Sequence, residues 1–327
     1  MLKKYGYSHC TKDYRKLNEV TVKDSYPLPL IRNNIDKLGK SNIFSTLDGT
    51  GAYHNLPIAE RDRPLTAFLT PKGQFQFKRC PFGLANAGQA YSRMIELAMR
   101  EVDPRLFLTY IDDIIIHTKT LGQHLQALEQ ILYAHRQAGL KIAPAKSFLF
   151  QNSVIYLGHQ ISSEGVEMVP AYIEAILTWP KPTSSKELAT FLGKCGYYRS
   201  FIKDYSKISS CLESEKKKTG LEWKWSDKMN EAFKILKDKF KNKPILAYPE
   251  FGTGNEFILD IDWSKEGMGQ CLSQEQVQED GKRERLIAAG GRTLTPAEKN
   301  YSSNKGETAS LIEGLKKYEH LLRYAPF

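Results

Sequence analysis

Two adjacent aspartates, Asp112 and Asp113, lie in the tetrapeptide Tyr110-Ile111-Asp112-Asp113, with Leu106-Phe107-Leu108 before it and Ile114-Ile115-Ile116 after it. Apolar runs of that length read as two short buried strands, so the carboxylates fall at or near the tight turn that joins them. Like charges beside an apolar core are costly unless a positive group neutralises them. On a rigid hairpin, and with a third carboxylate, such a pair can hold two divalent metals about 4 Å apart for in-line phosphoryl transfer. An Asp-Asp turn open to water is the alternative that the tetrapeptide alone leaves standing. Asp48 is an acid of the same kind: it ends the alternating run Ile43-Phe44-Ser45-Thr46-Leu47 and is followed by Gly49-Thr50-Gly51, so a strand presents its carboxylate at its end. Sequence spacing does not by itself bring Asp48 to Asp112.

The elements that must position these acids show as periodicity. A helix is expected over 31–38, after the extended Tyr26-Pro27-Leu28-Pro29-Leu30, and a hairpin around Pro71-Lys72-Gly73. Ala90, Met94, Leu97 and Ala98 recur at helical spacing, predicting a helix over 86–100 behind the Pro81-Phe82-Gly83 turn; another, over 121–138, is closed by Gly139. Short strands follow Lys146 as far as Ile161. Trp179-Pro180-Lys181-Pro182 reads as a boundary, and amphipathic helices over 185–192 and 227–240 flank a basic segment that reads as mobile. Strands over 257–262, 267–272 and 285–289 and a helix over 305–323 then suggest an incomplete mixed α/β module.

The 327 residues leave room for two or three domains. A net charge of +10 favours a polyanionic partner, although runs such as Lys216-Lys217-Lys218 read as solvated helix faces. No apolar run approaches the roughly 18 residues of a membrane span, and the N-terminus lacks the apolar stretch of a signal peptide, which argues for the cell interior. The five cysteines are scattered without Cys-x-x-Cys spacing, so reduced thiols are expected rather than a zinc site or disulfides.

The order of motifs resembles the reverse transcriptase of gypsy-type LTR retrotransposons. It runs from Asp13-Tyr14-Arg15-Lys16-Leu17-Asn18 through Phe44-Ser45-Thr46-Leu47-Asp48, Gly51-Ala52-Tyr53-His54, Pro81-Phe82-Gly83-Leu84-Ala85-Asn86-Ala87 and Tyr110-Ile111-Asp112-Asp113 to Leu157-Gly158-His159. Phe191-Leu192-Gly193, Tyr197-Tyr198-Arg199 and Tyr248-Pro249-Glu250-Phe251 continue the likeness. The resemblance implies an α+β fold: a right-hand polymerase palm, an antiparallel sheet with packed helices, with truncated fingers, a thumb and a connection, followed by an incomplete ribonuclease H-like module. Its implied segments are partial fingers (1–42), palm with fingers insertion and primer grip (43–161), thumb and connection (162–250) and the front of the ribonuclease H-like domain (251–327).

The same resemblance implies that Asp48, Asp112 and Asp113 gather magnesium, with manganese as a substitute. Tyr53 matches the steric gate against a ribose 2′-hydroxyl, and Phe82 and Gly83 match the loop that packs on the incoming nucleotide. Lys146 matches a lysine near the pyrophosphate, a candidate general acid, with an ordinary surface lysine as the other reading. Leu157, Gly158 and His159 match the primer grip, and Lys3, Lys4 and Arg15 match groups that meet substrate. The implied partners are an RNA template, a DNA primer, their RNA–DNA hybrid and deoxynucleoside triphosphates, in a cytoplasmic retrotransposon particle and in the nucleus.

The chain departs from the family where a Trp-Arg pair clamps phosphate, having Ser8-His9 there, and a neutral histidine offers no bidentate fork. Gly88 and Ala52 replace a family proline and glycine. In the C-terminal module, Asp262 and Glu307 match the first two ribonuclease H carboxylates; the others would lie beyond Phe327, so no ribonuclease H activity is expected. Two readings follow: a polymerase, or a nucleic-acid-binding remnant whose triphosphate site no longer works.

Overall fold

The computed structural model describes residues 12–28, 30–39, 41–216, 223–278, 281–323 and 325–327. The chain divides between Leu157 and Gly158 into two compact units. Unit 1 contains α1 (Arg15–Val20), α2 (Ile31–Asp36), β1 (Ile43–Asp48), β2 (Phe68–Thr70), β3 (Gly73–Phe75), α3 (Ala87–Met99), β4 (Phe107–Tyr110), β5 (Asp113–Thr118), α4 (Leu121–Gln137), β6 (Phe148–Gln151) and β7 (Ser153–Tyr156). The strand expected at 43–48, the hairpin around Pro71-Lys72-Gly73 and the helices expected near 31–38, 86–100 and 121–138 are all present.

β4, β5, β1 and β6 form an antiparallel sheet in that order. Leu47, Ile114 and Ile116 pack with Tyr91, Ile95 and Met99 of α3 and with Ala127, Leu128 and Ile131 of α4. Full burial of each of these large apolar side chains stabilises the unit by about 1.5–3 kcal/mol. Side chains alternate across a strand, and Leu47 opposes Ile114 while Asp48 opposes Asp113. The two carboxylates therefore stand on the face turned away from the α3–α4 core. α4 starts at Thr120, whose hydroxyl accepts from the Gln123 amide, and stops at Gly139 with φ 68°. Its buried His124 is hydrogen-bonded to the hydroxyls of Ser45 (2.7 Å) and Thr118 (2.9 Å), tying helix to sheet.

Unit 2 contains β8 (His159–Ser162), β9 (Gly165–Met168), α5 (Pro170–Leu177), α6 (Ser185–Tyr197), α7 (Tyr205–Glu215), α8 (Asp227–Lys241), β10 (Phe257–Ser264), β11 (Gly267–Gln278), β12 (Gly281–Thr293) and α9 (Ser303–Leu322). β10, β11 and β12 form an antiparallel sheet, and α9 packs on it through Tyr318, Leu321 and Leu322 against Phe257, Leu272 and Ile287. Two expectations need correction. Among the described residues, the stretch that read as mobile holds α7, anchored by buried Tyr205, Ser209 and Leu212, and its serine-, lysine- and glutamate-rich sequence hides a stripe that packs partly through polar groups; 217–222, with Lys217 and Lys218, lie outside the described residues. Trp179-Pro180-Lys181-Pro182 is no boundary between compact units, since the division falls at Leu157. β11 also runs six residues past the expected end because Gln274 and Gln276, though polar, are buried and donate to the carbonyls of Glu250 (2.8 Å) and Tyr248 (2.7 Å). No helix among the described residues is long and apolar enough to cross a membrane.

Candidate active site

Tyr110 pairs with Asp113, so Ile111 and Asp112 form a two-residue turn between β4 and β5. Ile111 has φ 56°, a left-handed conformation that costs a β-branched residue on the order of 1–3 kcal/mol. Surrounding contacts hold it there. The Gly49 amide donates to the Asp112 carbonyl at 3.1 Å, and a Cβ on Gly49 would stand 3.0 Å from the Tyr91 hydroxyl and 3.5 Å from the Asp112 Cβ. Glycine after Asp48 thus lets the end of β1 close on the turn.

Three carboxylates meet at this lip. Asp48 and Asp113 oppose each other across β1 and β5, and Asp112 adjoins both. Burial, followed by the negative charges of Asp112 and Asp48, pushes the Asp113 carboxyl up to about 6, against the opposing pull of Lys146. Lys146 sits in a short turn of 3₁₀ helix, Pro144–Lys146, with its Nζ 3.2 and 3.4 Å from the two Asp48 oxygens. Its side chain is 67% exposed, so the pair is worth at most about 1 kcal/mol and the ammonium is free to swing. A cavity of about 100 Å³ opens between Asp48, Asp113, Lys146, Phe148 and Tyr156.

No group of three or more His, Cys, Asp and Glu side chains among the described residues forms a ready-made metal cage. The donor set nonetheless fits magnesium: carboxylate oxygens only, open on one side, with more negative charge than one mobile lysine offsets.

Tyr53 lies in the turn Ala52–Asn55, its ring edge-on to Phe82 (5.4 Å) and Tyr91 (6.1 Å). Burial, then the charge of nearby Asp112, raises its hydroxyl above the ordinary tyrosine range. Gly83 has φ 95°, and its loop is stitched to α1 by Asn18, which donates to the Gly83 carbonyl (2.8 Å) and accepts from the Ala85 amide (2.9 Å). Arg15 does not join the carboxylates: its guanidinium forks onto Asp13 at 2.6–3.1 Å in solvent and holds that carboxyl down at about 2. Lys3, Lys4 and His9 lie outside the described residues.

The residues expected to grip the primer have local packing partners. Leu157 and Gly158 both take left-handed φ, 44° and 68°. A Cβ on Gly158 would stand 2.9 Å from the Tyr197 hydroxyl, and the Tyr198 hydroxyl donates to the Gly158 carbonyl at 2.6 Å. His159 is buried, with its ring stacked on Phe201 and close to Tyr197 and Tyr198. Sequence reading missed Tyr91 and Tyr156, buried tyrosines beside the carboxylates, whose hydroxyls burial pushes far up. The hint for Tyr156 was its place directly before Leu157-Gly158; for Tyr91, helical spacing to Ile95.

The second pair of acids is not assembled. Trp263 lies against Gly306 of α9, so its neighbour Asp262 points to the other face of β10, where Lys207 of α7 forms an ion pair with it. Glu307 stands exposed in the second turn of α9, where the Ser303 hydroxyl donates to it at 3.4 Å. A cation already holds Asp262, so these residues do not fit a metal centre.

An antiparallel sheet with helices on one face and three carboxylates at one lip defines a polymerase palm. Residues 3–161 match the family model of reverse transcriptase (RNA-dependent DNA polymerase), and 225–327 match the RNase H-like domain found in reverse transcriptase. The chain belongs to the reverse transcriptases, in the group carried by retrotransposon Pol polyproteins. It is 35% identical over 95% of its length to the retrovirus-related Pol polyprotein from transposon 297 of Drosophila melanogaster, 33% over 95% to that of transposon gypsy from the same fly, and 30% over 98% to the transposon Tf2-3 polyprotein of Schizosaccharomyces pombe. It spans 28%, 30% and 24% of those relatives. The fold is similar to a foamy viral protease-reverse transcriptase in complex with RNA/DNA hybrid, with TM-score 0.83 and 21% identity over 94% of this chain and 41% of that one.

Proposed function

We propose that this chain catalyses template-directed DNA synthesis from an RNA or DNA template, adding deoxynucleotides to a DNA primer. The observation that carries the reading is the register that sets Asp48 opposite Asp113 at the strand-end lip, with Asp112 in the turn beside them. In this reading the three carboxylates hold magnesium, or manganese in its place. When bound, the metal lowers the pKa of the primer 3′-hydroxyl and supplies positive charge for the leaving pyrophosphate.

The chain's own residues do the rest. Tyr53, braced by Phe82 and Tyr91, sets its ring against a ribose 2′-hydroxyl and so selects deoxynucleotides. The Phe82-Gly83 loop, held by Asn18, packs on the incoming nucleotide. Lys146, mobile and close to Asp48, donates a proton to pyrophosphate. Leu157, Gly158 and His159 place the primer end, and Lys3 and Lys4 meet the triphosphate. The solved relatives in complex with RNA/DNA hybrid and with double-stranded DNA support a hybrid duplex as the nucleic-acid partner here. The work takes place inside the cell, in the cytoplasmic particle and the nucleus.

One observation favours a second reading, a duplex-binding remnant: Ser8-His9 stands where the family has a phosphate-clamping Trp-Arg pair, and a neutral histidine offers no bidentate fork. Primer extension on poly(rA)/oligo(dT) with magnesium or manganese separates the two. The polymerase reading expects extension that Asp112→Asn abolishes. Salt-sensitive binding without extension, or extension that survives Asp112→Asn, would overturn it.

A further inference from the structure

α7 meets the β10–β11–β12 sheet through an unusual surface, three glycines on β11 and β12. A Cβ on Gly269 would stand 3.0 Å from the Asp204 Oδ1, one on Gly291 3.2 Å from the Ser206 hydroxyl, and one on Gly267 3.6 Å from the Lys207 Cγ. Gly269 makes room for Asp204 and Gly291 for Ser206, although a Cβ on Gly291 would meet the Met268 carbonyl first; Gly267 is closed off by the Arg292 carbonyl of β12 at 3.1 Å and leaves Lys207 at ordinary contact distance. Gly291, with φ 148°, also has a backbone that other residues rarely adopt. Within this cradle the Lys207 side chain is 17% exposed, its ammonium paired with Asp262 and 3.8 Å from Asp204. A lysine so enclosed has little freedom to leave. The lysine–aspartate pair at the palm lip, Lys146 with Asp48, has its lysine 67% exposed and no cradle.

We propose that Lys207 is the resident cation of the ribonuclease H-like module: its ammonium takes the place at Asp262 that a divalent ion would occupy and docks α7 on the sheet. Asp262 is then a docking residue in this chain, and Lys207 a positioning residue that binds the helical region to the module. A divalent ion at Asp262 would stand beside a fixed ammonium, and like charges at that range repel strongly in a partly buried site. The inference stands apart from the polymerase reading, because nothing in it involves unit 1.

Thermal melts of the full chain carrying Asp262→Asn, Lys207→Met or both test it, together with acylation footprinting of lysines by mass spectrometry. Asp262→Asn keeps shape at a side chain 58% exposed, so that variant folds even if Lys207→Met does not. Each single change is expected to lower the melting point of unit 2 by about 2–4 °C, and the double change by no more than one of them. Lys207 is expected to acylate more slowly than Lys146 and to become reactive in Asp262→Asn. Manganese is expected to leave the footprint of Lys207 unchanged. Additive melting shifts, a reactive Lys207 in the unaltered chain, or manganese that exposes Lys207 in a manner lost with Asp262→Asn would overturn the proposal.

Discussion

The palm lip and the β10 strand each present an aspartate against a lysine, yet the two arrangements differ in charge and freedom. At the lip, three carboxylates face one exposed lysine, and burial, then the charges of Asp112 and Asp48, holds the Asp113 carboxyl up. At β10, one carboxylate faces a lysine only 17% exposed and backed by Asp204. An aspartate beside a lysine is therefore ambiguous until the balance of charge and the room to move are known. The lip calls for an additional cation, whereas β10 already has one.

The comparison can be broken most forcefully at the acids themselves. Asp48→Asn or Asp112→Asn is expected to cut primer extension by roughly 10²–10³-fold or more, the scale for losing one electrostatic contact to a transition state. Asp262→Asn is expected to leave it near the unaltered rate; equal losses in a steady-state assay would show that the two regions are not distinct. Next in size is the support beneath each aspartate. Ile114→Ala removes a fully packed side chain next to Asp113 and should destabilise unit 1 by about 2–5 kcal/mol in urea melts. Its counterpart Gly306→Ala sets a methyl group 2.2 Å from the Trp263 ring and should cost unit 2 about 1–3 kcal/mol.

pH sharpens the contrast further. Asp113, raised to about 6, binds more protons folded than unfolded, so its contribution is full below about pH 4 and lost as pH rises through 6. His117, which burial lowers to about 4, acts oppositely: the unfolded chain takes up the proton first, and stability grows as pH rises from 4 to 6.5. In metal-free urea melts between those limits the two slopes oppose each other, and Asp113→Asn is expected to leave a clear rise with pH. The smallest effect is Lys146→Ala, at most about 1 kcal/mol on stability because its ion pair lies in solvent.

Much of unit 1 was legible because its elements declare themselves locally. Ile43–Asp48 alternates, Ile114-Ile115-Ile116 is continuously apolar, and Gly139 stops α4, so strand, buried strand and helix end follow from neighbours in sequence. The convergence of Asp48 with Asp113 came from the family resemblance, since antiparallel register is a long-range fact that spacing does not encode. The rest was hidden for the same reason. Gly267, Gly269 and Gly291 read as strand glycines until α7 is laid on them, and Asp262 reads as half of a metal pair until Lys207 arrives from 55 residues away. The left-handed Ile111 leaves no mark either, because a β-branched residue is the last one expected there.

Metal binding by the palm followed against pH is the most direct test of the account. Manganese bound to the full chain, read by water-proton relaxation from pH 5 to 8, is expected to tighten as pH rises through about 6 and then level, as Asp113 gives up its proton. Asp48→Asn with Asp112→Asn should remove that binding, and Asp262→Asn should leave it intact. Binding that persists without Asp48 and Asp112, or that depends on Asp262, would contradict the assignment of the metal to the palm lip.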